Sequence, residues 1–480
     1  MSEKHAAPPG TPSPASASGR PQPVIALREA IALIVGIVIG AGIFAAPAMV
    51  AGMTGSAPWM FGAWLLGGLM SLIGALCYAE LATAYSHAGG DYHFLRRAYG
   101  RSVAFLFGWA RFSVITTGSI ALLGFVFGDY MNQVWPIGGF GILSGPTLYA
   151  AVSIVILSFI NMRSTMSGTY TQTWLTALEV GGLLIIVAAA LYLAGTGTPP
   201  ATLPAADAPA GVPSAAAFGL AMVFVLLTFG GWNEAAYISA ELRDGRRGIV
   251  KALIWSIVII TAVYMLVIWA YWRALGIEGM ANSQAMAADV LGVAFGPVGA
   301  MSISLMVAVA ALTSMNATMI VGARTNYAVG QDWHSLKLLS HWDDERDAPL
   351  NALRVQTLAA LLLVLVGAWT GAGFRSMVEF TAPVFWLFFL LSGVSLFVLR
   401  YREPNTERPF KVPLYPLLPL VFCAMCAYML WSSLSYVYSQ SLGGLNAAWI
   451  GVGVLAIGLV LLLLVRAQHA RQQRSAVKTF

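Results

Sequence analysis

Within a long apolar sequence, three sets of residues have the type and spacing to do chemistry. The first is Gly36, Gly40 and Gly42, which sit inside IALIVGIVIGAGIFAAPAMV (Ile31 to Val50) ahead of Pro47. Glycine on either side of Ala41 lets the backbone leave helical geometry and lets another group come close. A break there exposes unpaired N–H groups at one half-helix end and unpaired C=O groups at the other. That combination suits a zwitterion, with an anion at the amides and a cation at the carbonyls. The second set is TFGGWNEAAY (Thr228 to Tyr237), where Gly230 and Gly231 interrupt another apolar run and are followed by Trp232, Asn233 and Glu234. The third comprises ionisable residues in apolar surroundings, Glu179 in WLTALEVGGLLIIV and Arg111. A charge at a helix centre costs ~2.5 to 3.5 kcal/mol on insertion scales and is usually kept for a purpose.

Such groups need a frame to hold them at membrane depth. A chain with 58% hydrophobic and only 10% charged residues falls in the polytopic membrane class, so its length does not translate into several soluble domains. The net charge of +6 raises the question of a nucleic-acid partner. Apart from Arg111, Arg273 and Arg375, however, every lysine and arginine falls in tails or loops assigned to the cytoplasm. That distribution is the positive-inside bias and requires no nucleic acid. Cys77, Cys423 and Cys426 all lie in apolar runs and offer no disulfide framework; they read as packed thiols.

Residues 1–23, rich in Pro, Ala, Ser and Gly and without an apolar signal core, read as a disordered cytoplasmic tail. A single transmembrane domain follows over 24–466, with spans at about 28–52, 57–83, 102–131, 146–162, 171–195, 215–241, 250–273, 296–328, 352–370, 377–399, 414–436 and 447–466. Tyr85 to Arg101, YSHAGGDYHFLRRAYGR, reads as a short interfacial or re-entrant helix, and 467–480 as a second cytoplasmic tail. The two glycine-interrupted spans are the first and the sixth, which divides the chain into repeats at 28–195 and 215–399 and an extra pair of spans at 414–466. An odd number of spans per repeat makes the second enter from the opposite face. Interrupted segments at matching positions of two halves point to an inverted-repeat transporter with its site at the midplane. This outweighs the alternative that the glycines merely let helices pack closely.

Five motifs resemble those of the amino acid/polyamine/organocation permeases: GIVIGAGIF (Gly36 to Phe44), AGGDYHFLRRAYG (Ala88 to Gly100), FGGWNEAAY with ELRDGRRGIVKAL (Phe229 to Leu253), SMNATMIVGARTNYAVGQD (Ser314 to Asp332) and ERPFKVPLYPLLP (Glu407 to Pro419). The resemblance implies an all-α polytopic membrane protein of LeuT type. In that fold five plus five inverted helices and two extra spans make twelve transmembrane helices, with helices 1 and 6 broken. It also implies that a substrate α-carboxylate meets the amides of Gly40, Ala41 and Gly42, and that the α-amine meets carbonyls of Val38, Ile39, Leu227 and Gly230. Leu227 stands where the family places a bulky gate, so Phe229, with Trp232 close by, or a residue elsewhere must supply any aromatic lid.

Several proton-coupled relatives carry a lysine at the position of Glu179, so a glutamate departs from their pattern. It could take up and release a proton, be satisfied by hydroxyls or by Arg111, or ligate sodium together with Thr313 or Ser314; the order of preference is proton, structural, sodium. Glu234 could pair with a cationic substrate side chain or with Arg111. Glu80 and Glu241, near clustered arginines, read as ion pairs of an inner gate, and Glu379 as a packing or capping residue. The expectation is a secondary transporter in a plasma or inner membrane with both termini cytoplasmic, taking up an L-amino acid with a proton as coupling ion and no cofactor or bound metal. Exchange of amino acids, or of an amino acid for its amine, is the rival. A membrane sensor that binds without carrying is a third reading, disfavoured by the lack of a soluble signalling domain. An enzyme is excluded in this reading by the lack of a nucleophile-base pair, ligand cluster or P-loop at useful spacing. The stretch Asn132 to Gly145 contains no cysteine, so no disulfide-linked heavy chain is expected.

Overall fold

Helix boundaries in this chain follow glycine, proline and serine. A computed structural model describes residues 27–85, 90–163, 169–197, 211–233, 245–343, 348–439 and 447–477, and among these the regular structure is helical. The first apolar run forms α1 (Leu27–Val38) and α2 (Gly42–Thr54), which are bent by 50° at the residues between them. Gly55, at φ 63°, ends α2 by returning its N–H to the Ala51 carbonyl. Helix α3 (Ala57–Ala84) starts with a proline in its first turn, where the missing N–H costs nothing. The segment read as an interfacial helix is α4 (Gly90–Tyr99).

The third span is α5 (Arg101–Ala110) and α6 (Thr117–Val134), joined without a break by a π-helical stretch, Arg111–Thr116. Helices α7 (Gly145–Arg163) and α8 (Thr169–Gly195) follow. Helix α9 (Ala215–Thr228) opens on Ser214, whose hydroxyl accepts from the Ala217 N–H. Then come α10 (Gly245–Asn282), turned at Gly276, and α11 (Met286–Asp332), turned at Gly296 ahead of Pro297. The expected eighth span thus has a short helical prelude. Helices α12 (Leu350–Thr370), α13 (Gly373–Arg402), α14 (Leu417–Ser439) and α15 (Ala447–Val477) complete the chain, α15 running past the expected end of its span at 466.

Ten of these helices are long and apolar enough to cross a membrane, eleven with the bent α1/α2 pair. Helix α9 is shorter, and residues 234–241 of its expected span lie outside the described residues, as do the N-terminal 23 residues.

Close packing around the two breaks depends on α3. A Cβ added at Gly67 would meet Val225 of α9 at 2.3 Å, one at Gly68 would meet Thr261 of α10 at 2.4 Å, and one at Gly74 would meet Phe422 of α14 at 2.7 Å. Bare backbone there lets three neighbours approach, which in lipid replaces the missing hydrophobic drive between helices. Opposite, amides join α7, α11 and α12: Asn161 donates to Asn316, Asn326 to Gln356, and Gln356 to the Met319 carbonyl.

Candidate functional site

The first break begins where α1 loses its helical bonds. Ile39 N–H still donates to Val35, and α2 starts with long bonds from Ile43 to Gly40 (3.4 Å) and Phe44 to Ala41 (3.2 Å). Among the described residues the N–H groups of Gly40, Ala41 and Gly42 find no backbone acceptor. They form the positive end of α2.

The second break faces the first. At the end of α9, Phe229 N–H donates to Val225 and Gly230 N–H to Leu227. Gly231 then takes φ 109°, a conformation closed to most side chains, and its Cα abuts α1, since an added Cβ would lie 2.9 Å from Ile37 Cγ2. A Cβ on Gly42 would lie 3.5 Å from Thr228, so amide end and carbonyl end meet across a narrow gap.

Both breaks open on a cavity of about 540 Å³. Of the residues expected to bind substrate, Val38, Gly40, Ala41, Gly42, Leu227, Gly230, Gly231 and Asn233 line it. Ile39, Phe229 and Trp232 do not; each is buried outside the cavity. The physical reason is the glycine face of α3. Phe229 packs over Gly67 and against Trp64 and Tyr264, while Trp232 fills the slot at Gly74 and meets Tyr78 edge-on at 5.2 Å. The aromatic wall comes instead from Phe107, Phe224, Phe374, Phe385, Phe388 and Phe389. Glu234 and Glu241 lie outside the described residues.

Among the described residues, charge enters the cavity at two points. Arg111 opens the π-helical stretch, which also brings Ile115 and Thr116 to the wall. Asp91, in the first turn of α4, accepts from the Tyr78 hydroxyl at 2.7 Å and the Ser392 hydroxyl at 3.0 Å. The sequence reading did not single out Asp91; its signal was an acid directly after a Gly-Gly pair and before a helical run, the place of an N-terminal carboxylate.

Glu179, only 4% exposed, lies behind the cavity. Ser314 on α11 donates to its Oε1 at 3.3 Å and itself lines the cavity, so one hydroxyl separates the carboxylate from the substrate space. Thr313 bonds back to Val309 of its own helix. Glu80 is 1% exposed and takes Arg400 in two hydrogen bonds, the Val412 N–H at 2.7 Å and Arg408 at 3.5 Å. It thereby ties α3 to the end of α13 and to the strap that leads to α14. Glu379 pairs with Arg375 one turn before it.

Apolar helix ends, amide and carbonyl, that meet at one cavity fit a polytopic membrane protein of the amino acid permease class. The chain belongs to that family: the amino acid permease family model matches residues 25–467. Human b(0,+)-type amino acid transporter 1 is 31% identical over 393 residues, covering 82% of this chain and 79% of the relative. The human cystine/glutamate transporter is 28% identical, covering 87% and 82%. The serine/threonine exchanger SteT of Bacillus subtilis is 26% identical, covering 85% and 91%.

Proposed function

We infer that the protein carries an L-amino acid across the membrane by alternating access, with the α-carboxylate on the Gly40 to Gly42 amides and the α-amine on the carbonyl ends of α1 and α9. The observation that carries this reading is the set of three amides without a backbone acceptor among the described residues, facing the end of α9 across one cavity. Amide donors at a helix start hold an anion and carbonyls at a helix end hold a cation, so only a substrate bearing both satisfies the two ends at once. Glu179 is the proton-binding group, linked to the cavity through Ser314. Glu80 with Arg400 and Arg408 forms the latch of the inner gate, both termini are cytoplasmic, and the carrier works without a disulfide-linked heavy chain.

Exchange of one amino acid for another is the second reading, and the exchanger among the relatives favours it. One experiment separates the two. Purified protein in liposomes is given radiolabelled L-serine, L-leucine, L-cystine and L-arginine, with an inward proton gradient, an inward sodium gradient or neither, as wild type and as Glu179→Gln. Accumulation driven by protons in wild type, with only exchange in the variant, supports symport through Glu179. Gradient-independent exchange in both makes the protein an exchanger and Glu179 a structural residue. Binding without flux of any substrate would refute transport altogether.

A further inference from the structure

Across the breaks from Asp91, α2 and the last turns of α6 meet the first stretch of α11, which runs from Met286 to the turn at Gly296. Ala287, Val290 and Leu291 share one face of that stretch and all are buried in the core. The stretch has no cap of its own, since Ala285 at the N-cap position offers no side-chain acceptor. Its Ala287 N–H donates instead to the Tyr130 hydroxyl of α6 at 3.3 Å, and that hydroxyl donates to the Phe44 carbonyl of α2 at 3.0 Å. Among the described residues the Ala287 N–H has no backbone acceptor. Tyr130, Phe44 and Ala287 are fully buried, and none of them lines the cavity. One hydroxyl, acceptor to one segment and donor to another, thus joins three parts of the molecule beyond the end of the substrate space.

We propose that Tyr130 is the latch of an external gate, its hydroxyl holding a lid formed by the start of α11 shut on α2 while the cavity is reached from the inner side. This rests on the alternating-access reading given above, with both termini cytoplasmic. Opening to the outside carries the lid away from α2 and breaks the Ala287 bond. Water then takes over the amide, whereas in the closed state an amide without the hydroxyl is buried and unpaired. The bond therefore weighs on one side of the equilibrium, and its removal shifts the population outward. Tyr271 of α10 supplies the comparison. It too is fully buried and lies within electrostatic reach of Tyr130, but its hydroxyl has no hydrogen-bond partner among the described residues.

The test places a reporter cysteine on either side, Val290→Cys on the buried face of the lid and Ile37→Cys on the cavity wall, where Ile37 is 42% exposed. Each goes into the full chain as wild type, Tyr130→Phe, Ala287→Pro and Tyr271→Phe. A membrane-impermeant maleimide labels Val290→Cys from outside intact cells and Ile37→Cys in inside-out vesicles, and the label taken up by the three native cysteines is subtracted. Tyr130→Phe keeps the ring and removes the hydroxyl; Ala287→Pro removes the amide, in a first turn that tolerates proline. Both should label about fivefold faster at Val290→Cys, the worth of one net hydrogen bond, and more slowly at Ile37→Cys. Tyr271→Phe should match wild type at both reporters. An unchanged rate at Val290→Cys in Tyr130→Phe overturns the proposal, as does an effect absent from a folded Ala287→Pro. A rise at both reporters, or the same rise in Tyr271→Phe, would mean general loosening and also overturns it. If neither Tyr130→Phe nor Ala287→Pro folds, the bond is a requirement of folding and the gate role falls. If wild type moves no amino acid in liposomes, the transport reading fails and this inference with it; if wild type transports and the reporters do not respond, the inference alone fails.

Discussion

Replacing Glu80 by glutamine changes one atom and should cost more than its size suggests. Among the described residues both carboxylate oxygens face donors only: Arg400 Nε at 2.7 Å and Arg408 Nε at 3.5 Å on one, Arg400 Nη2 at 2.5 Å and Val412 N–H at 2.7 Å on the other. Whichever way the amide is turned, its NH₂ meets a donor. The substitution also leaves two guanidiniums, at 19% and 8% exposure, without a counter-charge. A pair at ~4 Å is worth ~4 kcal/mol at an effective dielectric near 20, and removing one partner of a buried pair typically costs about 3 to 5 kcal/mol. We therefore expect Glu80→Gln to lose about 3 kcal/mol, read as the shift of a denaturation midpoint at constant slope. Arg400→Lys keeps the charge but gives up the two-point contact, and should cost about half as much. The double variant Glu80→Gln/Arg400→Gln should recover part of the loss, since the two amides can bond each other. A loss below about 1 kcal/mol in Glu80→Gln, the value of an exposed surface pair, would refute the burial argument. Strictly additive losses in the double variant would refute the coupling.

Three further outcomes test other parts of the structure. Gly67→Ala places a methyl 2.3 Å from Val225 and should cost about 1 to 3 kcal/mol as overpacking, whereas Gly62→Ala, with nothing within 4 Å, should melt with wild type. Gly231→Ala strains a φ of 109° and presses on Ile37, so transport should fall at least tenfold with a loss of stability of about 1 to 2 kcal/mol; wild-type flux would refute the fit of the two breaks. The Arg97 guanidinium holds the Glu403 carboxyl below the usual glutamate range. A lowered value means the pair adds stability above that range and adds none once the pH falls through it. With Arg97 44% exposed, the gap between wild type and Glu403→Gln should be below about 1 kcal/mol at neutral pH and close in acid; a gap that widens in acid would reverse the assignment.

How legible the site was depended on whether it was written locally. Gly40 and Gly42 could be read because glycine in an apolar run has few other uses, and the helix does stop at Val38 and restart at Gly42. Glu179 stood out because charge in such a run is costly, and it is buried behind the cavity with Ser314 donating to it. Phe229 and Trp232 could not be aimed, because their direction is set by the slots at Gly67 and Gly74, on a helix more than 100 residues earlier. Tyr130 was invisible for a related reason: in FVFGDYMNQV it is one more aromatic, and only the meeting of α2 and α11 turns its hydroxyl into a tie. The Asp91 bonds to Tyr78 and Ser392 likewise join three helices that no single stretch brings together.

The π-helical stretch at Arg111–Thr116 has a consequence for how this binding space could diversify. Such a turn accommodates one residue more than an α-helix would, and here it lets Phe107 and Arg111 from one half of the span, and Ser119, Leu122 and Leu123 from the other, face the same space. Because the π turn itself absorbs the extra residue, excising a single residue within it would restore plain α-helical bonding and leave the helix on either side in register. Loss of one codon would thus rework the wall between Phe107 and Ser119 while the interhelical contacts beyond that rung kept their partners, a route to new selectivity that point substitutions do not reach in one step.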